Sequence, residues 1–521
     1  EGQQNAALLR IKWSCATLRQ ARNTNEATMA LIRLDVPAGV YRNGTDLQSM
    51  GRWRDASLIR WIDGTMQPVK GWRTRSNTAT NATSRGMLTW SDNTNARWIA
   101  TGTYNKLYAY NSSGVQYDIT PVGLTAGRED AIAFTGFGGG LFGSYAYGVA
   151  RPDTVRIQPA TAWNLQAWGQ YLLANNEDDG KVYEWQLNTG AVAAQVANAP
   201  VDNKSIVVTA ERFLFCLGAG GNPRLVQWSD REDNTTWTPA ATNEAGDLEL
   251  QTEGEIMAGV SVRGQTLILT TRDAHVANYI GPPYVYGIER VGSSCGLAAK
   301  LAYANVDVGC FWMGVHAFYA YTGGGVQEIQ SDVSDYVFND INRAQISKAF
   351  AMSNGQYGEI WWFYPSSAST ENDRYVAYNY VENTWSIGTL SRTAGTDAGT
   401  FRQPMMADPS DNKIYEHEIG FEYGGLTPFA ETGPIMLGSG DNVVSVTEMI
   451  PDEKTQGDVS ATFKTRFYPN GTERSYGPFS MSNPTSMRFT GRQVRMRVDG
   501  ARLADWRVGI NRLDAVAGGR R

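Results

Sequence analysis

IWWFYPSSASTENDRYVAYNY, residues Ile360–Tyr380, is the stretch that decides how this chain is read. A run of large apolar residues, a polar turn and an aromatic alternation follow one another, the pattern of two antiparallel strands joined by a reversal. The same order recurs in WIATGTYNKLYAYN from Trp98, YLLANNEDDGKVYEWQ from Tyr171, FLFCLGAGGNPRLVQWS from Phe213, LILTTRDAHVANYIG from Leu267, CFWMGVHAFYAYT from Cys310 and PMMADPSDNKIYEHE from Pro404. Aligned on Tyr108, Tyr183, Val226, Val276, Tyr319, Val376 and Tyr415, the copies stand 75, 43, 50, 43, 57 and 39 residues apart. All but the first step are near the roughly 40 to 50 residues of a propeller blade. The turns are clusters of Gly, Asn, Asp and Pro, which reverse a strand, and the alternation leaves one aromatic set to pack between sheets. Two copies end in a shared tag, Asp233-Asn-Thr-Thr-Trp237 and Glu382-Asn-Thr-Trp385. A polar turn followed by Trp suits an outer strand whose indole wedges between neighbouring blades. The expected fold is therefore all-β, a β-propeller of about seven blades; an array of β-sandwiches is the competing architecture.

Outward from the repeats, the 521 residues divide by character. Residues 1–28 read as an N-terminal extension, because Met29-Ala-Leu-Ile-Arg-Leu-Asp-Val-Pro resembles a protein beginning. Residues 29–90 read as a segment closing or bracing the propeller, and 91–439 as the propeller itself. Within it, AIAFTGFGGGLFGSYAYGVA at 131–150 is uncharged, but six glycines in twenty residues disfavour a spanning helix. It reads as a long aromatic-tipped loop, with membrane contact as the minority reading. Residues 440–521 change pattern to VVSVTEMI, then alternating strands about an Asn470-Gly471 hairpin turn, then SMRFTGRQVRMRVDG, a small β-sandwich or jelly-roll-like domain. In QVRMRVDG, Val494, Met496 and Val498 face one way and Arg495 and Arg497 the other. That basic face is either solvated or a dock for an acidic neighbour.

The net charge of -6 is unevenly spread. Residues 1–75 carry 12 basic and 6 acidic side chains, residues 440–521 carry 13 and 9, and the middle carries 21 and 37. An acidic body argues against gripping nucleic acid with the main domain, since phosphate binding needs positive surface. Catalytic parts are scarce. Cys15, Cys216, Cys295 and Cys310 form no C-x-x-C, and His275, His316 and His417 are far apart, which disfavours zinc, a disulfide framework and histidine-based catalysis. No nucleophile elbow, zincin or P-loop motif occurs; Gly136-Phe-Gly-Gly-Gly-Leu-Phe-Gly lacks the Lys-Ser/Thr of a phosphate cradle. Ser91–Trp98 and Ser229–Trp237 are acidic turns ending in Trp, akin to an Asp-box but without its spacing, so a sialidase-like or glycan-binding propeller stands as an alternative. No catalytic, cofactor-binding or metal-ligating residue is assigned, and the expectation is not an enzyme. The polar, basic start carries no apolar stretch of signal-peptide length.

Several stretches resemble one family. They are Val36-Pro-Ala-Gly-Val-Tyr-Arg-Asn-Gly-Thr45, Met50-Gly-Arg-Trp-Arg-Asp-Ala-Ser-Leu-Ile-Arg-Trp61, Gln227–Leu248, Tyr279-Ile-Gly-Pro-Pro-Tyr284, Asp335-Tyr-Val-Phe-Asn-Asp-Ile-Asn342 and the ending from Gly491. Together the chain beyond residue 29 resembles the propeller-containing tail nozzle or tail hub proteins of short-tailed bacteriophages, including the packaged-DNA stabilisation type. The resemblance implies a virion structural protein assembled in the host cytoplasm, in a homohexameric ring beneath the portal and head-to-tail adaptor, with tail fibre proteins as neighbours. Double-stranded DNA would pass through the lumen without sequence-specific binding, retained after packaging and released on ejection. An acidic lumen wall would keep DNA from sticking, and the basic ends are candidates for contact with acidic propellers. The 28-residue extension departs from the family's opening. A receptor-binding protein at the tail tip is the remaining alternative.

Overall fold

The structure, a computed structural model, describes residues 30–132, 158–437, 442–469, 471–500 and 503–518. The expected N-terminal extension lies outside these residues, as does the glycine-rich stretch apart from Ala131 and Ile132.

The repeats fold as seven four-stranded antiparallel sheets, so the chain is an all-β propeller. Each quoted copy is the second and third strand of one blade, numbered in chain order: Arg97–Gly102 with Leu107–Asn111 in blade 1, Tyr171–Asn176 with Val182–Trp185 in blade 2, Leu214–Leu217 with Leu225–Trp228 in blade 3, Gln265–Thr270 with Asp273–Gly281 in blade 4, Gly309–Met313 with Phe318–Tyr321 in blade 5 and Glu359–Tyr364 with Arg374–Asn379 in blade 6. These pairs are nearly continuous in burial because another sheet covers each face. Trp163, Trp185, Trp312, Trp362 and Trp385 are among the largest fully buried side chains. Trp385, on the outer strand of blade 6, packs 4.9 Å from Phe318 of blade 5 and donates its indole N–H to the Gln330 carbonyl. This is the inter-blade wedge expected of the tag at Trp385, and removing such a ring would cost about 3–5 kcal/mol. Trp237 of the other tag is buried as well, but stands in the loop before its blade's outer strand, Gly246–Glu249, rather than on it.

Blade 7 is completed from the far end of the chain. Its first three strands, Ala394–Thr396, Met405–Asp408 and Lys413–His417, are followed not by the next segment but by Trp72–Thr74, paired antiparallel to the third. Met87–Ser91 then opens blade 1, against which the inner strand of blade 7 packs. The ring is thus sealed by hydrogen bonds between residues more than 300 positions apart.

The second unit is a two-sheet β-sandwich built from both chain ends. One sheet runs Ala30–Leu34, Asn511–Ala517, Val444–Ile450, Thr485–Gly491; the other runs Trp53–Ser57, Phe429–Thr432, Gln493–Gly500, Val459–Arg466, Arg474–Ser480, with Ile435–Met436 also on Gln493–Gly500. The sandwich therefore begins before residue 440, since Phe429–Thr432 is already one of its strands. Part of the 29–90 segment belongs to it as well. Both deviations share a cause: these strands are short, and only their partners far along the chain make them strands. The sandwich core of Val446, Phe463, Met496 and Leu513 runs without a break into blades 4 to 6 through Trp53, Ile59 and Trp61.

Candidate functional surfaces

In each blade the chain enters at the axis and leaves at the rim. Antiparallel strands therefore put the turns between second and third strands on the same face as the connections between blades. The remaining turns lie on the opposite face.

Ion pairs cross the axis on the connection face. Lys300, entering blade 5, and Lys204, entering blade 3, place their ammonium groups 2.6 and 2.7 Å from the carboxylate of Glu177 in blade 2. Lys348, whose side chain is fully buried, reaches Glu371 at 2.7 Å and also Asp130, and Arg85 donates to the same Glu371 at 2.6 Å. Below them the axis holds a cavity of about 140 Å³ lined by Gly86, Trp163, Tyr303 and Phe350. Burial alone would raise the Glu177 carboxyl, but Lys300 and Lys204 outweigh it and hold it down to about 2. The folded value lies below the unfolded one, so this group stabilises the fold above about pH 4.5 and the contribution disappears as pH falls towards 2. Glu177→Gln is expected to lower stability at pH 7 and to flatten the acid limb of the stability profile. Thermal unfolding of both proteins between pH 2.5 and 7 checks this, and parallel acid limbs would refute it.

A depression of about 890 Å³ lies on the connection face between blades 4 and 5. Arg272, Arg290, Glu253, His316 and Tyr319 line it around Asp273. Asp273 is buried and accepts hydrogen bonds from the hydroxyls of Thr252 and Thr270. His275 stands 3.2 Å from Asp273, and its imidazole pKa is pushed down by burial, more than the carboxylate raises it.

The structure places the three histidines on different blades. His275 is buried in blade 4, and His316 is exposed in blade 5. His417, buried in blade 7, stacks on Trp72 and accepts from Arg392 Nε at 2.9 Å, so it is held neutral by burial and by that guanidinium. Cys216, Cys295 and Cys310 are buried free thiols, and burial raises Cys295 to about 11. Cys15 lies outside the described residues. The two Asp-box-like turns are structural in their bonding: Asp92 accepts from Thr94, Ala96 and the Trp98 indole, and Asp233 from Thr235 and Thr236.

The acidic body shows its charge on the rim of blades 3 to 5. The outer strands Gly246–Glu249, Val285–Ser293 and Val326–Ile329 expose Asp247, Glu249, Glu289 and Glu328. Arg224 pairs with Glu249 at 2.8 Å, Arg290 is adjacent to Glu289 on the same strand, and Arg263 of blade 4 donates to the Thr322 carbonyl of blade 5. The Arg495 and Arg497 face is different from a free basic strand. Arg495 pairs with Asp46 and Glu473, Arg497 with Asp499 and Glu431, and Lys464 with Glu431, so the chain supplies its own acids there.

One cluster escaped the sequence reading. Arg60 is buried, with its guanidinium forked onto Glu359 (3.0 and 2.8 Å) and Glu418 (2.9 and 2.7 Å) and 3.6 Å from the centre of the Tyr357 ring. It joins the Ile59–Ile62 strand, next to the sandwich, to blades 6 and 7. The available signal was a cation inside the apolar run Leu58-Ile-Arg-Trp-Ile62, which demands a buried counter-charge.

No protein-family model matches the chain, and no curated protein does. Among solved structures it is similar to virginiamycin B lyase from Staphylococcus aureus, with 8% identity, a TM-score of 0.41, and 67% of this chain and 99% of that one covered. It is also similar to the WD40 domain of Neurospora crassa Pan2 at 7% identity and a TM-score of 0.39, covering 67% and 96%. The Cps50 (Swd1) β-propeller domain of Myceliophteria thermophila gives 10% and 0.39, covering 67% and 99%. At such identities the likeness is one of fold, the propeller.

Proposed function

We propose that the chain is a structural subunit of a bacteriophage tail, a nozzle or hub protein whose ring surrounds the DNA exit conduit. The observation that carries the reading is the group of four exposed carboxylates on the outer strands of blades 3 to 5, where Arg290 is the one cation on the strands themselves. Such a wall repels phosphate and lets a duplex slide without binding, whereas a gripping surface would place Lys and Arg there. The propeller axis, crossed by ion pairs, is not the conduit. A wall between copies is, and the role is mechanical rather than enzymatic. Electron microscopy of tailed particles is expected to show this chain as a closed ring around the exit channel. Changing Asp247, Glu249, Glu289 and Glu328 together to Lys should slow DNA release in a salt-dependent way while leaving particle assembly intact. Particles in which the chain lies outside the channel, or release indifferent to the change, would defeat the proposal.

A second reading, a glycan-binding propeller, is favoured by the depression between blades 4 and 5, where two arginines, a buried Asp and Tyr319 converge. Binding of the full chain on a glycan array, abolished by Arg290→Ala, would decide for it.

A further inference from the structure

The third and fourth strands of blade 4, Asp273–Gly281 and Val285–Ser293, are nine residues each, longer than any other strand of the propeller. The hairpin they form ends in Gly281-Pro-Pro-Tyr284 on the face opposite the connections. Its tip exposes two large apolar side chains, Ile280 (58%) and Tyr284 (76%). The base is rigid: Tyr279 and Tyr286 pack against Phe213, and Tyr286 against Phe215 and Trp228 of blade 3. Their hydroxyls donate to Glu244 and Glu211, each at 3.1 Å. Around the tip, Glu211, Asp230, Glu232 and Glu244 outnumber Arg212 and Arg231, so the projecting apolar end sits in a negative collar.

The sandwich carries the complementary surface. Leu47 and Met50, on and just after the short turn Asp46–Ser49, are exposed, as are Met436 and Tyr468. They belong to one patch: Arg466 binds Asp46 at 2.7 Å and Gln493 at 2.7 Å, and Gln493 lies opposite Met436 in register. The Arg492 guanidinium covers the Tyr468 ring, and the Arg492 N–H donates to the Arg466 carbonyl. Around it Arg54, Lys464, Arg466, Arg495 and Arg497 are already paired within the chain with Asp46, Glu431, Glu473 and Asp499, and these cations together with Arg474 leave the patch a net positive charge. This patch adjoins Asp335 and Tyr336, in the connection from blade 5 to blade 6, and so lies towards the face opposite the hairpin tip.

From these two surfaces we propose that the occupant of the sandwich patch is the blade 4 hairpin of a second copy of this chain. An apolar tip in an acidic collar meets an apolar patch whose surroundings keep a net positive charge. Two different surfaces of one chain that fit each other make a heterologous contact, which repeats until it closes into a ring. The inference rests on the ring reading above and names the contact that reading requires.

The test uses the full chain in a Cys15→Ser background, in which the described cysteines are buried. One preparation carries Tyr284→Cys and another Met436→Cys, and a short bis-maleimide is added to each and to the mixture. The expected result is a covalent dimer in the mixture alone, with mass spectrometry placing the bridge between positions 284 and 436. Tyr284→Asp should weaken self-association about 30-fold by sedimentation, with unchanged circular dichroism. Rings by native mass spectrometry without the 284 to 436 bridge, and insensitive to Tyr284→Asp, would overturn this contact and leave the ring reading standing. A chain that stays monomeric at every concentration and in assembled particles would overturn both.

Discussion

Replacing Arg60 by Met is expected to destabilise the folded chain by about 3–5 kcal/mol, the usual cost of stripping a buried ion cluster of one partner. The reason lies in the charge count. One guanidinium stands between two buried carboxylates, and the remaining bonds come from neutral donors, the Trp361 indole to Glu359 at 2.9 Å and the Asn354 amide to Glu418 at 2.8 Å. Without the cation, two negative charges remain in a site closed to water. Burial already raises the Glu359 carboxyl against the pull of Arg60. A carboxyl raised in the folded state binds its proton more tightly there than when unfolded, so stability falls as pH climbs from the unfolded value through the folded one. Loss of Arg60 widens that gap, and the variant should therefore be worse at pH 8 than at pH 5. Arg60→Lys keeps a charge but loses the double fork, and should fall between. Thermal unfolding of the three proteins at both pH values checks the ranking, and an equal loss at pH 5 and pH 8 would show that the cluster acts by packing rather than charge.

The same cluster shows where a sequence can be read and where it cannot. The second and third strands of each blade were legible because both their faces are covered, which forces runs such as Ile360–Tyr364 and the aromatic alternation after them. Their partners were not. Ala194–Gln195 is a two-residue outer strand exposed on both positions, and nothing local distinguishes it from loop. Trp72–Thr74 is a strand only because Lys413–His417 lies beside it. The charge split by region was legible, but not its use: Arg495 and Arg497 look like a free basic face until Asp46, some 450 positions away, is seen to lie against Arg495. The rim carboxylates were visible as composition, whereas their turning to solvent depends on the pleat of outer strands whose positions were unknown.

The two-ended construction leads to the largest effect expected of any change. A chain beginning at Ser76 would lack Trp72–Thr74, the outer strand of blade 7, together with Ala30–Leu34 and Trp53–Ser57 of the sandwich. It would also lose Leu34, Trp53, Ala56, Ile59, Trp61 and Met66 from the shared core, all buried. At about 1.5–3 kcal/mol for each large apolar side chain, the loss is comparable to the whole net stability of a folded domain, about 5–15 kcal/mol. It would also leave one edge of Lys413–His417, the side that Trp72–Thr74 covers, unpaired, an open edge that invites aggregation. Such a chain is expected to be insoluble, while co-expression of residues 30–75 as a separate segment should restore a soluble complex that unfolds cooperatively. The segment brings back both the blade 7 strand and the sandwich strands, so Arg60→Met within it should weaken the rescue. A soluble, cooperatively unfolding chain from Ser76 alone would show that seven blades close without the N-terminal strand, and that the sandwich rather than the ring depends on the joined ends.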